Sequence, residues 1–182
     1  MKKKIYIGMA ARMVPDKLHN LFIEIFLNNK LFLLDNNIQV LFAGDGILID
    51  SLKKKVHQHK LQNFIIFSGT LEEKKLIKWF KKLDLYVHLS KDETTSTSIL
   101  QAMSMSLPII ASNIGGNRNL VRFTKSTRNI ILADNNIKDV YKKIKYVLMN
   151  KEIKKKMSKF ARKTVERYYS CERMYKNYQK LF

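Results

Sequence analysis

Residues 87–112, VHLSKDETTSTSILQAMSMSLPIIAS, place a hydroxyl-rich loop with two acidic side chains between segments that predict regular structure. The apolar run that ends at Leu89 is typical of a buried strand, and the apolar spacing from Ile99 predicts a helix. In an open parallel sheet, ligands bind where a loop leaves the carboxyl end of a strand. The first amides of the following helix are unpaired and face such a ligand. The stretch therefore indicates an anion-binding loop, in which Glu93 is placed to bond neighbouring hydroxyl groups.

Apolar runs and helical periods alternate along the rest of the chain. The predicted strands cover residues 5–9, 38–43, 64–67, 85–89, 109–111 and 129–132. Helical periods separate them, the first over residues 18–29, and three more helices are predicted at about 137–149, 152–168 and 171–181. This alternation predicts an α/β fold, a doubly wound, Rossmann-like parallel sheet of about six strands with C-terminal helices. No repeat, linker or low-complexity tract divides the 182 residues, so we expect a single domain.

The net charge of +20 is the strongest compositional feature of the chain. It suits nucleic acid, an anionic membrane face or phosphorylated substrates as partners. The lysines are dispersed, however, and are equally explained by solvated helix faces. No zinc-finger spacing, RNP signature or helix-turn-helix pattern accompanies them, so nucleic acid is the least favoured partner. No apolar run is long enough to cross a bilayer, and the single Cys171 suits a reducing cytoplasm.

The central stretch resembles the nucleotide-sugar-binding segment of family-4 glycosyltransferases of GT-B architecture. The family pattern is an acidic residue, seven residues and a second acidic residue that opens an Ala-Met helix, followed by a Pro, a strand and a Gly-Gly turn. Here the pattern reads Glu93, Gln101, residues 108–112 and residues 115–116. The tail, over residues 139–178, matches the terminal helices of the family. The resemblance thus covers nearly the whole chain and implies one half of a GT-B enzyme, its C-terminal, donor-binding domain.

The resemblance implies a reaction and a set of site residues. Such enzymes move a sugar from a nucleoside diphosphate to an acceptor hydroxyl with retention of anomeric configuration. Arg12 and Lys17, after the first strand, would meet the charge that develops on the leaving diphosphate. Glu93 would bond hydroxyls of the donor sugar, and it completes the catalytic set. The predicted donor-binding and nucleotide-binding residues are Gly44, Gly69, Thr94, Thr95, Ser96, Thr97 and Gln101.

Two positions depart from the family pattern. Gln101 replaces the second acid, which accepts bonds from the ribose hydroxyls, and we expect ribose binding to be weaker by about 1 kcal/mol. A structural alternative is that residues 98–101 form a capping box. Asn119 stands where the family usually has an acid after its Gly-Gly turn. Structural alternatives also exist for Arg12 and Lys17, as ordinary loop cations, and for Glu93, as a solvated carboxylate near a helix N-terminus.

No metal or cofactor is expected, since the four His residues do not cluster in the sequence. The expected partners are a nucleotide-sugar donor, a glycan or lipid-linked acceptor and an anionic membrane surface at the inner face of the cytoplasmic membrane. Residues 1–182 would form the nucleotide-sugar-binding domain alone, with the N-terminal acceptor domain absent, so a protein that supplies it is a further partner. Without that domain we expect exposed apolar side chains on the terminal helices, at Tyr175, Tyr178 and Phe182.

Three functions therefore compete. The first is the donor-binding part of a glycosyltransferase in polysaccharide, lipopolysaccharide or glycolipid synthesis. The second is a non-catalytic donor-binding subunit, or a truncated remnant that needs a partner for activity. The third is a basic nucleic-acid-binding module, whose affinity would fall steeply with salt.

Overall fold

The fold is organised around a six-stranded sheet, which the computed structural model shows together with its helices over residues 3–180. Its strands are β1 (Ile5–Ala10), β2 (Ile38–Ala43), β3 (Ile65–Phe67), β4 (Leu85–His88), β5 (Ile109–Ser112) and β6 (Ile130–Ala133). Their order is β3-β2-β1-β4-β5-β6, and every neighbouring pair is parallel. This is the strand order of a Rossmann fold, so the predicted doubly wound sheet is confirmed.

Helices cover both faces of the sheet, as the alternation of strands and helices requires. They are α1 (His19–Leu27), α2 (Lys30–Asp35), α3 (Ile49–Gln58), α4 (Glu73–Lys82), α5 (Thr97–Ser104), α6 (Gly115–Leu120), α7 (Ile137–Met149), α8 (Lys151–Tyr168) and α9 (Cys171–Tyr178). Buried side chains of α1, α2, α3 and α7 pack on one face, and those of α4, α5 and α6 pack on the other. Helix α8 contributes Met157 to the first cluster and Ala161 to the second.

The largest difference from the predicted elements lies after β1, where two helices replace one. Helix α1 ends at Leu27 because the Asn28 and Asn29 amides turn back to the carbonyls of Glu24 and Ile25, at 2.8 and 2.7 Å. Such local bonds compete with helix continuation. The prediction missed α2, which buries Phe32 and Leu33 against the core.

The last helix exposes apolar side chains, as predicted. Helix α9 buries none of its residues and exposes the side chains of Tyr175 and Tyr178, and of Met174 beside them. It ends at Tyr178, and Phe182 lies outside the described residues. Between residues 3 and 180 no helix combines the length and apolar character that a bilayer crossing needs.

The sheet order fixes where a ligand can bind. From β1 the chain proceeds outward to β2 and β3, and β4 then returns to the other side of β1. The loops that follow β1 and β4 therefore leave the sheet in opposite directions and border a crevice at the carboxyl ends of these strands. These two loops carry Arg12, Lys17 and Glu93.

Candidate functional site

The loops after β1 and β4 are joined by an ion pair. Lys17 ends a short 3-10 helix, Pro15–Lys17, and its Nζ donates to Glu93 Oε1 and to Ser90 Oγ, the latter at 3.4 Å. Both partners of the ion pair are largely buried, with side-chain exposures of 17% and 13%. The Lys91 amide also donates to the Asp16 carbonyl at 2.8 Å. Two predicted catalytic residues that are 76 positions apart therefore lie in contact at the crevice.

A buried histidine, which the sequence prediction missed, holds the same carboxylate. His88, the last residue of β4, places Nε2 at 2.8 Å from Glu93 Oε1. Because an ionised carboxylate only accepts, Nε2 is the donor in this contact. The Tyr86 and Ser98 hydroxyls lie 3.4 Å from Nδ1 and the Ser96 hydroxyl lies 3.3 Å from Nε2, so polar groups lie beside both ring nitrogens. The available signal was a histidine inside an otherwise apolar strand, five residues before Glu93.

These contacts fix the charge of Glu93. The hydrogen bond from His88 lowers the pKa of Glu93 to about 2, Lys17 adds to that effect, and partial burial opposes it. Both contacts use Oε1, and among residues 3–180 nothing is bonded to Oε2. Glu93 therefore presents an ionised carboxylate with one oxygen available to accept a hydrogen bond from a hydroxyl group.

The loop after β4 ends in a row of unpaired backbone amides. Ser96 is the N-cap of α5, and its buried hydroxyl accepts from the Ile99 amide at 3.4 Å. The amides of residues 94–98 have no acceptor within the described part of the chain. A helix start of this kind attracts an anion through its free N–H groups and the helix dipole. The structural alternative of a capping box over residues 98–101 is wrong, since α5 begins at Thr97 and its cap is Ser96, two residues before Ser98.

Other predicted residues lie at the surface of this region. The side chains of Arg12 and Gln101 are exposed and make no hydrogen bond or ion pair with any described residue. Thr94, Thr95 and Thr97 are exposed as well. Arg12 belongs to the loop that carries Lys17, and Gln101 lies on α5, one turn beyond its start. The structure thus brings Lys17 and Glu93 into contact but leaves Arg12 outside that pair.

The two predicted glycines shape the neighbouring loops. Gly44 has φ +124°, and a Cβ there would lie 2.1 Å from the Ala11 carbonyl oxygen, so only glycine lets the β2 loop approach the β1 loop. Its amide donates to the Gly69 carbonyl at 2.8 Å and is therefore not available to a ligand. Gly69 has φ +66° and open space around it. Both glycines lie at the crevice edge of the sheet, just after β2 and β3.

Of the two glycines in the Gly-Gly turn, only Gly116 occupies a position with no room for a side chain. A Cβ at Gly116 would lie 1.9 Å from the Glu93 carbonyl oxygen and 2.3 Å from that of Thr94. The start of α6 therefore packs directly beneath the backbone that carries Glu93. A Cβ at Gly115 would meet nothing within 4 Å.

The pair of glycines gives a matched test. Gly116→Ala should lower the free energy of unfolding by about 1–3 kcal/mol, because the Glu93 loop must shift to admit the methyl group. Gly115→Ala should change it by less than about 1 kcal/mol, since its methyl group enters open space. Urea denaturation of both variants measures the difference. Equal losses in the two variants would contradict the close packing of α6 on the loop.

A separate cleft of about 790 Å³ lies along the edge strand β6, between the loop before this strand and helices α7 and α8. None of the predicted site residues lines it, so its basic rim, which includes Lys125, Arg128 and Lys142, does not belong to the crevice. Over residues 3–180, no group of three or more His, Cys, Asp or Glu side chains is arranged to hold a metal ion.

The sheet order defines a Rossmann-like domain, and solved GT-B glycosyltransferases share this fold. TarM from Staphylococcus aureus, in complex with fondaparinux, alpha-GlcNAc-glycerol and UDP, matches with a TM-score of 0.84 at 25% identity, over 99% of this chain and 36% of TarM. HepE from Anabaena, in complex with UDP and glucose, has the same fold, with a TM-score of 0.77 at 18% identity over 91% of this chain and 44% of HepE. The C-terminal domain of LpcC, a glycosyl transferase group 1 family protein from Francisella tularensis, matches with a TM-score of 0.79 at 21% identity, over 94% of this chain and 89% of that domain.

The particular family follows from the sequence match. The family described as glycosyl transferases group 1 matches residues 1–164, and the chain therefore belongs to it. Protein CapJ of Staphylococcus aureus is 33% identical over 120 residues, which are 65% of this chain and 30% of CapJ. An uncharacterized glycosyltransferase of Methanocaldococcus jannaschii is 29% identical over 150 residues, 82% of this chain and 38% of the relative. The chain thus spans about a third of the length of these relatives.

Proposed function

We propose that this chain binds the nucleoside-diphosphate sugar of a retaining glycosyltransferase. In the proposal, the diphosphate lies in the crevice between the loops after β1 and β4. Lys17 and Arg12 face its negative charge, and the free amides of residues 94–98 add backbone donors. Glu93 accepts from a sugar hydroxyl through Oε2. Cations and amides supply all the charge stabilisation, so the proposal needs no metal ion and no cofactor.

One observation supports this proposal above the others. The Lys17–Glu93 pair lies at the switch point of the sheet, directly before the unpaired start of α5. A cation and free amides suit a diphosphate, and an ionised carboxylate beside them suits a sugar hydroxyl. The UDP held by TarM and by HepE, which share this fold, is consistent with such a ligand.

Transfer itself is proposed for the assembled enzyme. A second domain or a partner protein would supply the acceptor, a glycan or lipid-linked hydroxyl, and would close the crevice against water. Positive groups that meet the leaving diphosphate would then lower the barrier to glycosyl transfer. The alternative, a donor-binding subunit without catalysis, retains the same site, and Gln101 at the ribose position supports it.

Ligand-induced stabilisation tests the proposal directly. In a panel of UDP-, GDP- and dTDP-linked sugars, the sugars that carry one of these three bases should raise the melting temperature of the chain. A ligand that binds only the folded state stabilises that state. Arg12→Ala should lower the affinity for that ligand by about 3- to 10-fold in calorimetry, the effect expected for the loss of one solvent-exposed charged contact. Arg128→Ala, which removes an exposed arginine at the opposite end of the sheet, is the matched control and should bind normally.

No shift with any member of the panel would reject donor binding by this chain. A binding loss that is equal in the two arginine variants would assign the effect to net charge and remove Arg12 from the site.

A further inference from the structure

Three loops that leave neighbouring strands meet at Ser90. Ser90 lies two residues beyond β4 and is fully buried. Its amide donates to Ser112 Oγ at 2.9 Å, and its carbonyl accepts from Asn135 Nδ2 at 2.9 Å. Ser112 Oγ donates in turn to Asn135 Oδ1, which closes a ring of hydrogen bonds. We call these three residues the Ser90 clamp, because both peptide groups of Ser90 are held by side chains from the ends of β5 and β6.

The side chain of Ser90 connects the clamp to the proposed site. Ser90 Oγ accepts from Lys17 Nζ at 3.4 Å and donates to the Asp92 carbonyl at 2.7 Å. The position of Ser90 therefore sets both the start of the loop that carries Glu93 and one of the contacts of Lys17.

We infer that Asn135 is a positioning residue for the donor site, an inference that rests on the proposed function. Asn135 is exposed, lies beyond the edge strand β6 and is 45 positions from Ser90. It contacts neither Lys17 nor Glu93 and acts on them through Ser90. Without its amide, the buried Ser90 carbonyl and the Ser112 hydroxyl both lose a partner. The loop before α5 then samples positions in which Glu93 is misplaced.

Calorimetry on Asn135→Ala measures this role. We expect the affinity for the nucleotide sugar selected by the panel to fall about 3- to 10-fold, the range of one or two lost hydrogen bonds. Asn63→Ala removes an exposed asparagine side chain before β3, and this control should keep full affinity. In a Glu93→Gln background, the loss of affinity caused by Asn135→Ala should be smaller, because the carboxylate that the Ser90 clamp positions is already absent.

Hydrogen exchange supplies a readout that does not depend on binding. In Asn135→Ala the hydrogen-bonded amides at the two ends of this loop, those of Ser90, Lys91, Ile99 and Leu100, should exchange faster, while those of the central strands keep their rates. Faster exchange with unchanged affinity would overturn the positioning role, as would unchanged exchange. A wild-type chain that binds no nucleotide sugar would reject the proposed function instead, and the exchange rates then decide alone whether Asn135 holds the loop.

Discussion

Glu93→Gln should remove the affinity that the sugar adds while it preserves the affinity for the nucleoside diphosphate. A hydrogen bond from a hydroxyl to a charged acceptor is worth about 1.5–3 kcal/mol, so the nucleotide sugar should bind about 10- to 150-fold more weakly. The proposed contact between Lys17 and the diphosphate remains in this variant, because Lys17 only loses its ion pair with Glu93. Calorimetry with the nucleoside diphosphate and its sugar conjugate separates the two contributions.

Asp92→Asn is the matched control for Glu93→Gln. It makes the same change of charge in the adjacent residue, whose side chain is exposed. We expect this control to bind both ligands normally. Equal weakening of diphosphate and sugar conjugate in Glu93→Gln would contradict a specific contact between Glu93 and the sugar.

The depressed pKa of Glu93 adds a prediction about stability to the same variant. Its hydrogen bond from His88 and the Lys17 ammonium hold the pKa at about 2, below the ordinary value of 4.5. The folded state therefore gains stability from the ionised carboxylate above pH 4.5 and loses that gain as the pH falls toward 2. Glu93→Gln lacks this gain, so the difference in its free energy of unfolding from wild type should narrow as the pH falls from 4.5 toward 2 in urea denaturation.

Lys17→Met should have the largest effect on the diphosphate itself. The methionine keeps most of the buried stem but removes the ammonium group, and we expect the affinity for the nucleoside diphosphate to fall about 10- to 150-fold. The pKa of Glu93 should rise in the same variant, because one of the groups that lower it is gone. Calorimetry measures the affinity for the diphosphate. Urea denaturation at a series of acid pH values measures the change in the pKa of Glu93.

Lys91→Met separates a specific contact from general attraction. Lys91 is exposed in the loop next to the pair, and its loss changes the net charge of +20 by the same single unit. If general attraction dominates, both lysine variants should weaken binding equally and the loss should disappear at high salt. A loss confined to Lys17→Met that persists at 0.5 M salt would identify the buried ammonium as the diphosphate contact.

The fold could be predicted from the sequence because its signals are local. Each buried strand is a short apolar run, and each helix has its own apolar period, so the order of elements is written in consecutive residues. A parallel sheet with right-handed crossovers follows from that order. The helix that the prediction missed, α2, has only six residues, too few to show a helical period of its own.

The residue types of the site were also visible in the sequence. Lys17 and Glu93 were recognised by their place in a family pattern, and the hydroxyl-rich loop by its composition. Ser96 illustrates the limit of this approach, because the sequence showed a hydroxyl but could not show that it is spent on capping α5.

Only the tertiary structure decided which groups that are distant in the sequence contact the Glu93 carboxylate and the loop that carries it. His88 holds Glu93 because β4 ends beside the crevice, and Gly116 is required because α6 begins under the Glu93 backbone. Asn135 contacts Ser90 from the loop after β6, which is two strands away from β4 in the sheet. Contacts across such separations depend on strand order and packing, and no local period of the sequence records them.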